Sequence, residues 1–115
     1  MPAKFQLKKA KNGQFYFNLL AANAEVILTS EMYKAKPSAK NGIASVQKNA
    51  VDAKKYESRT SKNGKFFFVL KAANSQVIGN SEMYESAKSC TGGIASVTKA
   101  APGAGVEDLS LAAKT

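Results

Sequence analysis

Between Lys4 and Lys8 apolar and polar residues alternate, with Phe5 and Leu7 on one side and Lys4, Gln6 and Lys8 on the other. This period of two is the mark of a half-buried strand. Lys11-Asn12-Gly13-Gln14 follows, and Asn-Gly between alternating segments predicts a hairpin because both residues tolerate positive φ. A second strand puts Phe15, Phe17 and Leu19 on one face and Tyr16, Asn18 and Leu20 on the other. A turn at Asn23-Ala24 leads to a third strand around Val26-Ile27. A helix is predicted to start near Ser38, a residue suited to the N-cap, with Pro37 just before it. Its Ala39, Ile43, Val46 and Ala50 share one face. The unit reads as three strands and a helix.

The same unit then returns. Shifting the chain by 51 residues aligns 4–50 with 55–101 without a gap, and 24 of the 47 pairs are identical. Lys11-Asn12-Gly13 recurs as Lys62-Asn63-Gly64, and Ala21-Ala22-Asn23 as Ala72-Ala73-Asn74. Ser30-Glu31-Met32-Tyr33 recurs as Ser81-Glu82-Met83-Tyr84, and Gly42-Ile43-Ala44-Ser45-Val46 as Gly93-Ile94-Ala95-Ser96-Val97. In the second strand the face Phe66, Phe68, Leu70 is unchanged and marks the core, whereas the opposite face changes to Phe67, Val69 and Lys71. The second helix, predicted from Ser89, carries Cys90, Ile94, Val97 and Ala101 on its apolar face. Gly42 and Gly93 cost their helices about 1 kcal/mol relative to alanine, which points to close packing of helix on sheet. Val106 to Leu111 is predicted as a last short strand, matching the stretch around Lys55-Tyr56-Glu57.

A unit of this size buries too little apolar surface to stand alone. Repeat 1 (about 3–53) and repeat 2 (about 54–115) are therefore expected to form a single pseudo-symmetric domain over 1–115, an internal pseudo-dimer that is otherwise monomeric. The fold class is α+β: two tandem β-β-β-α(-β) repeats in one antiparallel sheet, with two helices on one face and a pseudo-two-fold axis.

The Asn-Gly hairpin, the Phe-x-Phe strand, Ala-Ala-Asn, Ser-Glu-Met-Tyr and Gly-Ile-Ala-Ser-Val, in this order and in tandem over about residues 3–101, resemble the YegP-like family, a bacterial domain of unknown function. The resemblance implies a single sheet with exchange of C-terminal strands, which would make 55–59 and 106–111 strands contributed across the pseudo-dyad. It implies no activity, cofactor or catalytic residue. Asn23-Ala24 and Asn74-Ser75 depart from the family's commoner Asn-Gly and leave the second turn type open.

Composition narrows the chemistry. The chain has 115 residues, no histidine, no tryptophan and one cysteine, which removes histidine acid–base catalysis, Cys/His zinc sites and internal disulfides. Seventeen bases against eight acids leave a net charge of +9. That charge divides into +5 over residues 1–53 (eight lysines, three acids) and +4 over 54–115 (nine bases, five acids). It draws anionic partners such as nucleic acid. Arg59 is the only arginine, however, and lysine is the poorer fork for phosphates and base edges, so a solvated lysine surface is the plainer reading. The first residues lack the apolar run of a signal peptide, no stretch is long enough to span a membrane, and a lone cysteine suits a reducing compartment, so the expected location is the cytoplasm.

Ser30, Glu31 and Tyr33, with Ser81, Glu82 and Tyr84, form the sharpest candidate for a small polar ligand, one site per repeat. Strand-to-helix junctions need polar groups for free N–H groups in any case, so a structural role competes with the ligand role. Tyr16 and Phe67, beside Lys8, Lys65 and Lys71, are the candidate stacking platforms for nucleic acid. Cys90 aligns with Ala39 on a buried helix face and is expected to be inert, and Ser45 and Ser96 lack a base. Catalysis is not expected, nor is a cofactor or a metal. The leading expectation is a small binding or interaction module for an anionic partner. The alternatives are a protein-interaction or structural module using the open sheet face, and a ligand or enzymatic site at the two Ser-Glu-Met-Tyr junctions.

Overall fold

The computed structural model describes residues 3–110. The order of elements is β1 (Lys4–Lys9), β2 (Phe15–Leu20), β3 (Val26–Ser30), α1 (Lys36–Asn49), β4 (Tyr56–Thr60), β5 (Phe66–Lys71), β6 (Val77–Asn80), α2 (Ala87–Ala100) and β7 (Gly105–Asp108). Short 3-10 turns at Ala53–Lys55 and Ala101–Gly103 follow the two helices. All strands join one seven-stranded sheet in the order β4-β5-β6-β3-β2-β1-β7.

The two repeats meet at β3 and β6, where Thr29 faces Asn80 and Ser30 faces Gly79. Thr29 and Asn80 are each other's counterparts in the 51-residue repeat, so the pseudo-dyad passes between them. Of the two strands that follow a helix, β7 crosses to the other repeat, whereas β4 lies at the start of repeat 2 and pairs within it. β4, after α1, pairs with β5, and β7, after α2, pairs with β1. The expected antiparallel sheet needs one correction, since β7 runs parallel to β1. β1 already holds the place beside β2, so the last strand is left with the outer edge. It occupies Gly105–Asp108 rather than 106–111, and residue 111 lies outside the described residues.

The helices begin earlier than Ser38 and Ser89, at Lys36 and Ala87. In α2 the cap is Ser86, whose Oγ accepts from Ser89 N–H at 3.1 Å. In α1 the capping position is Ala35, without a side-chain acceptor, and Pro37 in the first turn sets the start, since its fixed φ suits that position and it has no N–H to satisfy.

The hairpin turns also differ from expectation. Of each Asn-Gly pair only the glycine takes positive φ, Gly13 at 85° and Gly64 at 82°, while Asn12 uses its side chain to accept from Gln14 N–H at 3.0 Å. With Gly13 N–H donating to Ala10 O at 3.0 Å, this is a three-residue loop with a left-handed last residue. The second turn of each repeat copies it with Ala24 and Ser75, both at φ 69°, in the left-handed position. A side chain there costs roughly 1–2 kcal/mol.

The core lies between the helices and one sheet face. Phe5, Leu7, Phe17, Leu19 and Leu28 from repeat 1 and Phe68 and Leu70 from repeat 2 are fully buried under Val46 and Val97. Each such side chain contributes roughly 1.5–3 kcal/mol by leaving water. α1 rests on β1 and β2 and also reaches β5 and β6 of the other repeat, while α2 rests on β5 and reaches β3. Neither helix can bury its apolar face on its own repeat alone. No helix among the described residues is long and apolar enough to cross a membrane.

Candidate functional site

The Ser-Glu-Met-Tyr segments are taken apart by the fold. Ser30 is buried; its Oγ accepts from Phe17 N–H at 2.8 Å and donates to Glu31 O at 2.8 Å. Ser81 repeats this with Phe68 N–H at 2.9 Å and Glu82 O at 2.8 Å. Both hydroxyls thus complete the strand ladder where β3 and β6 break off. Beyond that break, Phe15 and Tyr33 exchange backbone hydrogen bonds of 2.6 and 2.7 Å, as Phe66 and Tyr84 do at 2.8 and 2.7 Å.

Tyr33 then stacks on Phe17, with ring centroids 6.3 Å apart and planes 10° apart, and Tyr84 stacks on Phe68 at 6.3 Å and 11°. The same phenols lie on the helix glycines. A Cβ on Gly42 would stand 2.8 Å from Tyr33 Cζ and 3.0 Å from Phe17 Cε2, and one on Gly93 would stand 2.6 Å from Tyr84 Cζ. The glycines in the helices are therefore the counterpart of the tyrosines at the junctions. Burial, and then the Glu31 carboxylate, push the Tyr33 phenol up; burial leads at Tyr84 too, followed by Cys90, Glu82 and Glu25. Both phenols stay neutral near pH 7. Glu31 turns away from this packing and accepts from Asn80 Nδ2 across the pseudo-dyad at 3.1 Å, and Glu82 is exposed. In repeat 2 Glu82 and Tyr84 line one cleft with Glu25, Val26 and Ile27 of repeat 1, but Ser81 is turned to the backbone and takes no part in it. Cys90 is buried, as expected, and burial raises its thiol.

The face away from the helices carries a row of residues that crosses all seven strands: Glu107, Gln6, Asn18, Thr29, Asn80, Val69 and Glu57. Gln6 Nε2 donates to Glu107 Oε1 at 3.0 Å and Asn18 Nδ2 to Thr29 Oγ1 at 2.9 Å. This central row is polar apart from Val69. Tyr16 and Phe67 lie on the same face, both half-buried, but on β2 and β5, two strands apart from contact. Three inter-strand spacings put them at least roughly 14 Å from each other, so they are separate platforms and not one.

The flanking cations divide unequally. Lys65 Nζ pairs with Glu85 at 2.5 Å, Lys71 pairs with Glu57, and Arg59 Nε pairs with Glu57 at 2.9 Å. Those two contacts hold the Glu57 carboxyl down to about 2, Arg59 more than Lys71. The cations around Phe67 are thus already matched by carboxylates. In repeat 1, Lys8 stands directly opposite Tyr16, Lys9 opposite Phe15 with its Nζ 5.7 Å from that ring centre, and Lys34 follows Tyr33, which bridges to Phe15. Lys8, Lys9, Lys11 and Lys34 have no carboxylate partner among the described residues. Sequence reasoning named Lys8 but missed the other three. For two of them the signal was the change between copies, Lys9 becoming Thr60 and Lys34 becoming Glu85, whereas Lys11 returns as Lys62 and carries no such signal.

A duplicated α+β unit, paired with itself across a pseudo-dyad, is the class this architecture defines. A family model described as a domain of unknown function (DUF1508) matches residues 10–57 and again 61–108. The UPF0339 protein PA0329 of Pseudomonas aeruginosa is 56% identical over 110 residues, covering 96% of this chain and all of that protein's length. The UPF0339 protein YegP of Escherichia coli (strain K12) is 54% identical over 97 residues, 84% of this chain and 88% of its own. Solution NMR structures of the UPF0339 protein SO3888 from Shewanella oneidensis and of yegP from E. coli superpose with TM-scores of 0.90 and 0.90, at 46% and 49% identity, each covering 96% of this chain and 94% or 95% of its own. The chain belongs to the YegP/UPF0339 (DUF1508) family. The matched units end at 57 and 108, so the first takes in the start of β4 and the second all of β7.

Proposed function

We propose that the protein is a non-catalytic cytoplasmic module, monomeric apart from its internal pseudo-dimer, that binds an anionic polymer of the single-stranded nucleic acid kind at the β1–β2 rim of repeat 1. The observation that carries this reading is the unmatched set Lys8, Lys9, Lys11 and Lys34 at this rim, Lys8 facing Tyr16 and Lys9 lying over Phe15, where repeat 2 has the ion-paired Arg59, Thr60, Lys62 and the carboxylate Glu85. Lysines neutralise phosphates by releasing counterions, and a half-exposed ring offers a base a stacking surface without regard to sequence. The polar centre of the open sheet face, in turn, gives little support to apolar docking of another protein there.

Titration of the 15N-labelled chain with a short single-stranded oligonucleotide, followed through amide shifts at low and moderate salt, tests the reading. Shifts are expected at residues 8–16 and at Lys34, with affinity falling as salt rises by a logarithmic slope of about −0.7 per phosphate contacted. Replacing Lys8, Lys9 and Lys11 together by glutamine should weaken binding about tenfold or more, whereas Lys62→Gln in repeat 2 should leave it unchanged. Shifts spread evenly over the lysine surface, or equal binding by the triple variant, would overturn it.

A further inference from the structure

The copies have diverged at nearly half of their positions, so exposed positions that stayed the same need a reason beyond the core. Ala22/Ala73 and Lys48/Lys99 are such pairs, and Ser45/Ser96 is a third, half-exposed. The fold brings them together across the repeats. Ser96 and Lys99 of α2 face Ala21 and Ala22 of repeat 1, and with Ala3 and Ala100 they line a cleft of about 380 Å³. On the other side of the pseudo-dyad, Ser45, Lys48 and Asn49 of α1 face Ala72 and Ala73 of repeat 2 around a cleft of about 290 Å³.

The clefts differ at one equivalent position. Asn49 lines the smaller one, 8% exposed, its Nδ2 donating to Ser45 O at 2.8 Å and to Ser45 Oγ at 3.2 Å. Its counterpart in the larger cleft is Ala100, which leaves that space open, and the Ser96 hydroxyl there makes a 3.2 Å bond to Gly92 O. We infer that the larger cleft is a binding site for a short aliphatic carboxylate, with the chain against the alanines and the carboxylate on Lys99, and that Asn49 closes its twin.

The chemistry is complementary on both counts. The walls are methyl groups with one cation and one hydroxyl, the usual make-up of a small-ligand pocket. The C-terminal end of α2 carries a partial negative charge of about half a unit, which the full charge of Lys99 outweighs. Lys99 has no carboxylate partner among the described residues. Neither cleft exists within a single repeat, so the site belongs to the tandem chain.

The test is a titration of the labelled full chain with sodium butyrate, against sodium chloride at equal ionic strength. Saturable shifts are expected at Ala21, Ala22, Ser96, Lys99 and Ala100, and butanol should bind at least about tenfold more weakly. Lys99→Gln should reduce affinity about tenfold. Asn49→Ala, checked as folded by its dispersed spectrum, should add a second saturable set at Ser45, Lys48, Ala72 and Ala73. Shifts that do not saturate, or that persist unchanged in Lys99→Gln, would overturn the site. A folded Asn49→Ala chain with only the first set of shifts would overturn the role of Asn49. These residues lie apart from the β1–β2 rim, so failure here and failure of oligonucleotide binding are distinct results.

Discussion

At the scale of single residues, Gly42 and Gly93 show why a helix keeps a residue that weakens it. Alanine would improve either helix by about 1 kcal/mol. At Gly42 it would also drive a methyl group into the Tyr33 phenol, which is pinned between the helix and Phe17. Overpacking of that kind costs roughly 1–3 kcal/mol. Gly42→Ala is therefore expected to lower stability by up to about 2 kcal/mol in urea denaturation, against the direction of helix propensity. A gain in stability would show that the ring has room to move. That the glycines mark a close approach was legible from their recurrence in both copies. That the approaching group is a tyrosine from the junction was not, because nothing in the spacing of residues 33 and 42 says which face of the sheet corner the ring takes. The same holds for the serines of these junctions. Polarity at a strand end predicted that they satisfy backbone groups, and only the bulged ladder shows that the group is Phe17 N–H or Phe68 N–H.

At the scale of elements, β7 is held chiefly by charge and backbone. Glu107 Oε1 meets Lys4 at 2.8 Å, Asp108 Oδ2 meets Lys36 at 2.5 Å, and Leu109 N–H donates to Leu7 O at 2.8 Å. Hydrogen bonds from Lys36 and then Ser110 hold the Asp108 carboxyl down to about 2, and Lys4 and then Gln6 lower Glu107. Folded values below the unfolded ones mean a contribution that is complete above the usual carboxylate range and is lost as pH falls through about 2. The Leu109 amide shift should accordingly titrate with a midpoint near 2, and Lys36→Met should move that midpoint up toward the ordinary aspartate range. A midpoint already in that range for the unaltered chain would show that the Lys36 contact does not persist in solution. The existence of this strand was legible from its match to the stretch that follows the first helix, but its direction depended on β1 being in place first.

At the scale of the whole molecule, the pseudo-dyad is asymmetric where it matters most. Leu28 of β3 and Gly79 of β6 are counterparts in the repeat, and they meet: a Cβ on Gly79 would lie 2.9 Å from Leu28 Cγ. Two leucines would collide there and two glycines would leave a hole. Leu28→Gly should cost about 3–5 kcal/mol by cavity formation, and Gly79→Leu about 1–3 kcal/mol or more by overpacking. The exchanged double variant should be more stable than either single one, with a coupling of roughly 1–3 kcal/mol in thermal or urea unfolding. Strict additivity would mean that the two positions do not share one space. The complementarity also makes each repeat fit the other better than a copy of itself, which gives the tandem arrangement a physical basis beyond the shared sheet.

The sequence by itself determined the periodic features: six strands in two sets of three, the two helices and their buried faces, the 51-residue duplication and the buried position of Cys90. These rest on local alternation and on self-comparison, which need no third dimension. Tertiary structure decided the rest. It matched Lys65 and Lys71 with Glu85 and Glu57, left Lys8, Lys9, Lys11 and Lys34 unmatched, set Tyr16 and Phe67 apart, and built two clefts from opposite repeats. Each of those outcomes depends on distances between residues far apart in the chain. Such distances are set by which strand takes which place in the sheet, and no periodicity carries that information.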